Sequence, residues 1–359
     1  MSALRIALVA AARFPVAEPF AGGLEAHVWA LADGLRRRGH AVTLFAGPGS
    51  DPRLDVELLE LRRPRLSPAA LADVSMTARD WLDEHHGYLQ LMIALAGPRA
   101  GDFDVIHNHS LHHLPIAMAA TLRTPIVTTL HTPPTPWLES AIQAGDDCPV
   151  TFVAVSEHTA QSWSHLAPDA RVIHNGVDVA RRRPGPGGGP LVWSGRIAPE
   201  KGTHLAIEAA VLARRPLRIA GPISDPAYFE AEVRPRLGAG IDYVGHLSHA
   251  ELDRVVGDAS AALVTPCWDE PYGLVVAEAL ACGTPVCAFA RGALPELLPE
   301  ECGILVEPGD VAGLAAAVAA APSLSRDAAR RHAVRTCSLE RMVDRYADLY
   351  GSLSGALVS

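Results

Sequence analysis

Residues 181–190 read Arg181-Arg-Arg-Pro184-Gly-Pro-Gly-Gly-Gly-Pro190. From Pro184 onward every residue is glycine or proline, so neither a helix nor a strand continues through the run. It divides the 359 residues into two halves that share one pattern. On its N-terminal side short apolar runs stand at 6–10, 41–45, 105–107, 126–130, 152–155 and 172–174; on its C-terminal side they stand at 191–194, 217–220, 241–244, 261–264, 285–288 and 303–306. Helical patterns fill the intervals. In the first, Val28, Leu31 and Leu35 recur at i, i+3 and i+7, and Gly39 is placed to stop the helix. Ser156 is an N-cap residue after the 152–155 run. Strands that are apolar throughout and separated by helices form parallel sheets covered on both faces. The expectation is two doubly wound α/β domains, 1–180 and 191–338, joined by a flexible 181–190 linker. Of the last helical segments, 326–335 and 339–353, the second is placed either to stay with the C-terminal domain or to cross back to the first.

Composition limits the function. Against 31 basic residues stand 40 acidic ones, a net charge of −9, which argues against a general nucleic-acid binder. Six scattered cysteines make neither a disulfide framework nor a zinc pattern and suit a reducing cytoplasm. No apolar run approaches the ~20 residues of a bilayer span, and residues 4–12 read as a first buried strand rather than a signal peptide. Lys201 is the only lysine, and Asn108 and Asn175 are the only asparagines.

In open parallel sheets ligands gather beyond the carboxyl ends of the strands, so motifs just after strands carry the chemistry. Gly195-Arg196-Ile-Ala-Pro-Glu200-Lys201-Gly202 follows a strand and opens a helix. Loop amides, a helix N-terminus and two cations make a site for an anion such as a diphosphate, and a compact ammonium is something arginine does not imitate. In Asp269-Glu270-Pro271-Tyr272-Gly273-Leu274-Val-Val-Ala-Glu278, Pro271 keeps Glu270 out of the α region and Gly273 permits a sharp turn, so a helix starts near Leu274. Glu270 then faces the interdomain cleft, and Glu278, one turn into an apolar helix, needs a partner. Two such carboxylates accept hydrogen bonds from sugar hydroxyls.

The run Glu270-Pro-Tyr-Gly-Leu-Val-Val-Ala-Glu278-Ala-Leu-Ala-Cys-Gly-Thr-Pro-Val286, with its EX7E pair, resembles the signature of family GT4, retaining nucleotide-sugar glycosyltransferases of the GT-B fold. The Gly195–Gly202 loop, Asn175-Gly-Val-Asp178, Gly22-Gly23-Leu-Glu25-Ala-His27 and Gly303-Ile-Leu-Val306 resemble the same family, in the same order. The likeness is weaker over 62–98, and Ala293 stands where the family often has a second glycine after Gly292. The resemblance implies two Rossmann-like domains facing a cleft, no cofactor and no metal, with a nucleoside-diphosphate sugar as donor and a hydroxyl acceptor, a small molecule or a glycan. It implies that Arg196 and Lys201 hold the diphosphate and that Glu270 contacts the transferred sugar. Glu278 would take the ribose hydroxyls, the backbone of Tyr272, Gly273 and Leu274 would lie against sugar and phosphates, and Gly23 would approach the phosphates from the other domain. His109 would contact the donor sugar, and His131 would border the cleft.

His107-Asn-His109-Ser-Leu-His112-His113 invites a metal reading, but no carboxylate or cysteine completes the set, so neutral loop or core histidines are expected. Trp81, Trp137, Phe20 and the pair His85-His86 are candidates for an acceptor pocket, with core packing as the plainer role. Basic runs at 36–38 and 62–65 raise membrane contact; arginines at a helix C-terminus also complement the macrodipole, and a soluble acceptor is the reading adopted. Two other readings remain: an isomerase or hydrolase acting on the donor alone, and a non-catalytic sugar-nucleotide binder. The base, the sugar, the acceptor and the oligomeric state leave no mark in the sequence.

Overall fold

A computed structural model describes residues 3–58, 64–75, 78–145 and 148–355. The first half forms a seven-stranded parallel sheet. Its strands are β1 (Arg5–Val9), β2 (Ala41–Ala46), β3 (Val56–Leu58), β4 (Val105–Asn108), β5 (Ile126–Leu130), β6 (Val150–Ala154) and β7 (Arg171–Val172), in the order β3-β2-β1-β4-β5-β6-β7. The second half forms a six-stranded sheet from β8 (Leu191–Ser194), β9 (Leu217–Ala220), β10 (Ile241–Gly245), β11 (Ala262–Val264), β12 (Val286–Phe289) and β13 (Gly303–Val306), in the order β10-β9-β8-β11-β12-β13. All the strand pairs are parallel. Central strands such as β4, β5 and β12 are buried at every position, which is why they read as unbroken apolar runs. The short edge strand β3 carries no such run and escapes the sequence pattern.

The first helix, Gly23–Arg37, buries Val28, Leu31 and Leu35 against the first sheet, and Gly39 leaves it at a φ of +85°. Ser156 caps the Glu157–Ser162 helix by accepting from the Thr159 amide. The C-terminal helix, Leu339–Gly355, crosses back: Leu339, Met342, Val343, Tyr346 and Tyr350 lie in one buried cluster with the first helix and first sheet. Its apolar positions follow the 3.6-residue period of a core-facing stripe. The crossing is fixed where the Val177 amide donates to Cys337 O (2.8 Å) and the Leu339 amide to Val177 O (2.9 Å).

One feature departs from expectation. The glycine-proline run is tied down rather than flexible, since the amides of Gly185, Gly187 and Gly189 donate to the carbonyls of Cys282, Gly257 and Asp258. Arg36 and Arg37 are exposed at the end of the first helix, and Arg38 is half-buried. Arg38 pairs with Glu340 (2.6 Å) and Asp344 (2.7 Å) on the crossing helix, and Arg37 pairs with Asp33 (3.1 Å). Arg62 and Arg63 lie outside the described residues. No helix among the described residues is long and apolar enough to cross a membrane.

Candidate active site

Strand order reverses between β1 and β4 in the first sheet and between β8 and β11 in the second. At such switch points neighbouring strands send their outgoing loops in opposite directions, which opens a crevice beyond their carboxyl ends. The two crevices meet. The loop after β1, with Ala11, Arg13 and Phe14, and the following Gly22-Gly23 turn face Arg196 from the loop after β8 and Trp268 to Leu274 from the loop after β11. A contiguous pocket extends from Arg196, Gly22 and Gly23 past Lys201, Gly221, Pro222, His246 and Glu278.

Lys201 and Glu270 stand where the two pockets join. Lys201 Nζ donates to Glu270 Oε2 at 2.6 Å, and Trp268 Nε1 donates to the same oxygen at 3.1 Å. The ammonium also sits 4.9 Å from the centroid of the Trp268 ring. Both charged side chains are largely withdrawn from solvent, at 20% and 16% exposure, so their attraction is screened less than at the surface. Arg196 lines both pockets and pairs loosely with Glu200 (3.3 Å). Facing it from the first domain is Glu25, buried and raised in pKa by desolvation, against which Arg196 acts in the opposite direction.

Gly23 begins the first helix close against the other domain, where a Cβ would lie 2.9 Å from Leu274 Cδ1 and would push that side chain aside. Gly273, at a φ of +96°, precedes the Leu274–Ala281 helix. The buried Tyr272 lines the pocket beside it.

Glu278 finds its partner in the glycine-proline stretch. Arg182 Nη2 donates to Glu278 Oε1 at 2.8 Å, and Arg182 Nη1 donates to Asp253 Oδ1. The three are nearly enclosed, with side-chain exposures of 5% for Arg182, 13% for Asp253 and 15% for Glu278. Asp253 is raised in pKa by burial, and Arg182 opposes that shift. The sequence shows Arg182 only as one of three arginines before a breaker run, which is no signal of this role.

The histidines divide differently from expectation. His109, placed at the cleft by the resemblance, is 0% exposed and lies one layer behind it. Its Nδ1 is 3.0 Å from His131 Nε2, and its Nε2 is 3.1 Å from His107 Nδ1. His131 is the ring that reaches the pocket wall, with Thr132. Behind them His107 meets Tyr350 Oη (2.5 Å) and Thr129 Oγ1 (2.8 Å). Burial holds His107, His109 and His131 well below the usual imidazole range and His27 down to about 4, so all four rings are neutral at pH 7. Among the described residues two groups of three imidazoles bring ligand atoms within 4.8 Å of one another: His27 with His109 and His131, and His85 with His112 and His113. Three nitrogens match the ligand count of an open zinc site. In the first group, however, His109 and His131 spend nitrogens on each other, and His27 has both nitrogens buried without partners. Sequence spacing conceals this group because His27 comes from the first helix and His131 from the end of β5.

A two-lobed α/β protein with two parallel sheets whose switch points face each other, and with cations, glycine turns and acidic side chains between them, has the GT-B type of architecture. Residues 21–181 match the profile "Glycosyltransferase Family 4", and residues 189–321 match "Glycosyl transferases group 1". The chain belongs to glycosyltransferase family 4 and is a glycosyltransferase. It is 31% identical over 338 residues to a glycogen synthase of Mycobacterium tuberculosis, covering 83% of this chain and 81% of the relative. It is 29% identical over 367 residues to a D-inositol 3-phosphate glycosyltransferase of Mycobacterium marinum, covering 88% and 77%. Among solved structures it resembles AviGT4, a glycosyltransferase involved in avilamycin A biosynthesis, with a TM-score of 0.70, 26% identity and 98% of both chains covered. It shares the fold of HepE from Anabaena, solved in complex with UDP-glucose, with a TM-score of 0.75, 18% identity and 97% and 100% coverage.

Proposed function

We propose that this glycosyltransferase moves a hexose-like sugar from a nucleoside diphosphate to the hydroxyl of a small-molecule or glycan acceptor, with retention of anomeric configuration and without a metal. The observation that supports this most is the Lys201–Glu270 contact of 2.6 Å, which joins a phosphate-type cation to a sugar-type acid where the two pockets meet. In this reading Arg196 and Lys201 hold the diphosphate and balance the charge that grows on it as it leaves. The amides at Tyr272 to Leu274 and the Gly22-Gly23 turn lie against the phosphates, and Glu278, oriented by Arg182, takes the ribose hydroxyls. Glu270 takes a sugar hydroxyl. His131, neutral and on the wall, hydrogen-bonds the same sugar, and His109 fixes the tautomer of His131 from behind.

The chemistry follows a front-face course. The bond from the anomeric carbon to the β-phosphate oxygen breaks, and the acceptor oxygen forms its bond on the same face. The acceptor proton passes to the departing phosphate, giving a glycoside and a nucleoside diphosphate. The enclosed cleft supplies orientation and excludes competing water. Cys267, Cys282, Cys287, Cys302 and Cys337 form no disulfide among the described residues, which accords with a cytoplasmic location.

A thermal-shift screen of nucleoside-diphosphate sugars identifies the donor, since a ligand at 100 times its Kd stabilises by about 2.7 kcal/mol. With that donor, Lys201→Ala and Glu270→Ala lose transfer; each lost charged contact weakens binding by ~1.5–3 kcal/mol, more in the transition state. Transfer near wild-type rates in both variants refutes the site. NMR of the product anomer tests retention, and activity undiminished by EDTA tests metal independence.

A further inference from the structure

Beside the cleft, in the first domain, six aromatic rings form a continuous assembly that the donor chemistry does not use. Trp81 and His85, one turn apart on the Arg79–Ala96 helix, stack at 5.2 Å and 13°. His85 stacks on His113 (5.6 Å, 27°), His113 on Trp137 (4.9 Å, 22°) and on His112 (4.4 Å, 25°), and His112 on Tyr88 (4.7 Å, 26°). Trp81 also meets Trp137 at 5.8 Å. Three elements contribute: the Arg79–Ala96 helix, the segment after β4, and the Pro136–Gln143 helix after β5. The last two leave the β1/β4 switch region and its neighbour, so the assembly continues the cleft. Leu111 on the cleft wall is the chain neighbour of His112, and Arg13 on the same wall reaches Glu84 (3.6 Å), beside His85.

Of the six rings Trp137 is the exposed one, while Tyr88 and His112 are buried and the other three half-buried. Trp137 is 54% exposed, and Phe14 and Leu111 on the adjoining wall are 48% and 41% exposed. Such residues normally hide their area, and a contiguous group beside a catalytic cleft marks a ligand surface. Burial holds His112 down to about 3 and lowers His113, so those two rings are uncharged at pH 7.

Resting on the proposed transferase reading, we infer that this stacked assembly is the acceptor subsite and that it takes an acceptor whose hydroxyl is carried on a planar aromatic or heteroaromatic ring. Ring stacking on Trp137 gives such an acceptor affinity and points its hydroxyl along Leu111 and Thr132 toward Glu270. A free sugar face fits less well, because its hydroxyls need several directional polar partners. Here the assembly offers only ring nitrogens and the Tyr88 hydroxyl, and that hydroxyl is already engaged, donating to Ala10 O (2.8 Å) and accepting from the Ala12 amide (2.9 Å). A metal held by His85, His112 and His113 also fits less well. His112 Nδ1 accepts the Leu114 amide (3.2 Å), which leaves the proton on Nε2 and no lone pair on that ring for an ion.

The test uses the full chain saturated with whichever of UDP, GDP, dTDP or ADP gives the largest thermal shift. Binding of 2-naphthol is compared with that of 2-decalol, which has the same skeleton and hydroxyl but saturated, non-planar rings. Wild type is expected to prefer 2-naphthol at least ~10-fold. Trp137→Ala, at an exposed position, is expected to reduce the preference to within ~3-fold, and His113→Ala to weaken it, with the nucleotide shift unchanged. Equal affinity for the two probes, or a preference that survives both substitutions, overturns the assignment. So does one equivalent of Zn2+ bound by wild type and lost in His113→Ala. Absence of any nucleotide shift refutes the transferase reading instead, so the two failures are distinct.

Discussion

Gly292 sets the position of Glu270, and Gly292→Ala tests how closely the chemistry depends on it. Its φ is +63°, a conformation that costs an L-residue about 1–2 kcal/mol. A Cβ there would lie 2.3 Å from both the amide nitrogen and the carbonyl oxygen of Glu270, whereas ordinary contact begins at 3.4 Å. Those atoms are backbone and cannot rotate aside, so the Glu270 loop must retreat by roughly 1 Å. The retreat also strains the bond from the Ala293 amide to Glu270 O (2.8 Å). A displacement of that size at a reacting group costs on the order of 100-fold in rate. Steady-state transfer kinetics on Gly292→Ala should therefore show kcat down ~100-fold, with a cooperative melt only a few degrees below wild type. Ala293→Gly is the control. Ala293 adopts φ −80° and ψ −1°, which any residue tolerates, so a glycine there is not required and the rate should stay within a few-fold. Wild-type kcat in Gly292→Ala would show that Glu270 does not need its present position, and the reasoning from that loop would fail.

Arg182→Ala leaves Glu278 and Asp253 as nearly enclosed like charges. Breaking such a network by removing one partner costs about 3–5 kcal/mol. Urea denaturation should show that loss at neutral pH and a smaller one in mild acid, where the raised Asp253 carboxyl takes up a proton; an unchanged midpoint would refute the role. His27 should make the first domain acid-sensitive. Its folded pKa, about 4 against 6.5 unfolded, means that below about pH 6.5 the unfolded chain binds a proton that the folded chain refuses. Stability is therefore complete above pH 6.5 and is lost as pH falls toward 4, by at most about 3 kcal/mol at 1.36 kcal/mol per unit. His27→Phe should make the stability profile between about pH 6.5 and pH 4 shallower, with the remaining slope coming from His107, His109 and His131, and an equally steep profile would show that His27 does not contribute.

What the residues disclose in advance follows from the range of the interactions. Strands β4, β5 and β12 are legible because a doubly covered parallel strand must be apolar at each position, and the first helix is legible because one face alone is buried. Contacts between distant segments are not, since local pattern carries no trace of them. Arg182 and Glu278 are 96 residues apart, and a glycine-proline run reads as flexible whether or not its amides find carbonyls on a neighbouring helix. His109 shows the same limit. Alternation along β4 gives its direction but not the layer of imidazole from β5 that lies between it and the cleft. Lys201 and Glu270, 69 residues apart, are the instructive exception. Their loops leave β8 and β11, which are adjacent because the second sheet reverses order between them. Any cation placed just after β8 and any acid placed just after β11 must face each other across that crevice. Topology therefore converts two local motifs into one site, and it does the same at β1 and β4, where Arg13 and Leu111 border the proposed acceptor surface. The proposed donor half of the cleft is written in short motifs, because loops are what hold phosphates. The proposed acceptor half is assembled from single side chains on three separate elements, and only the folded chain brings them together.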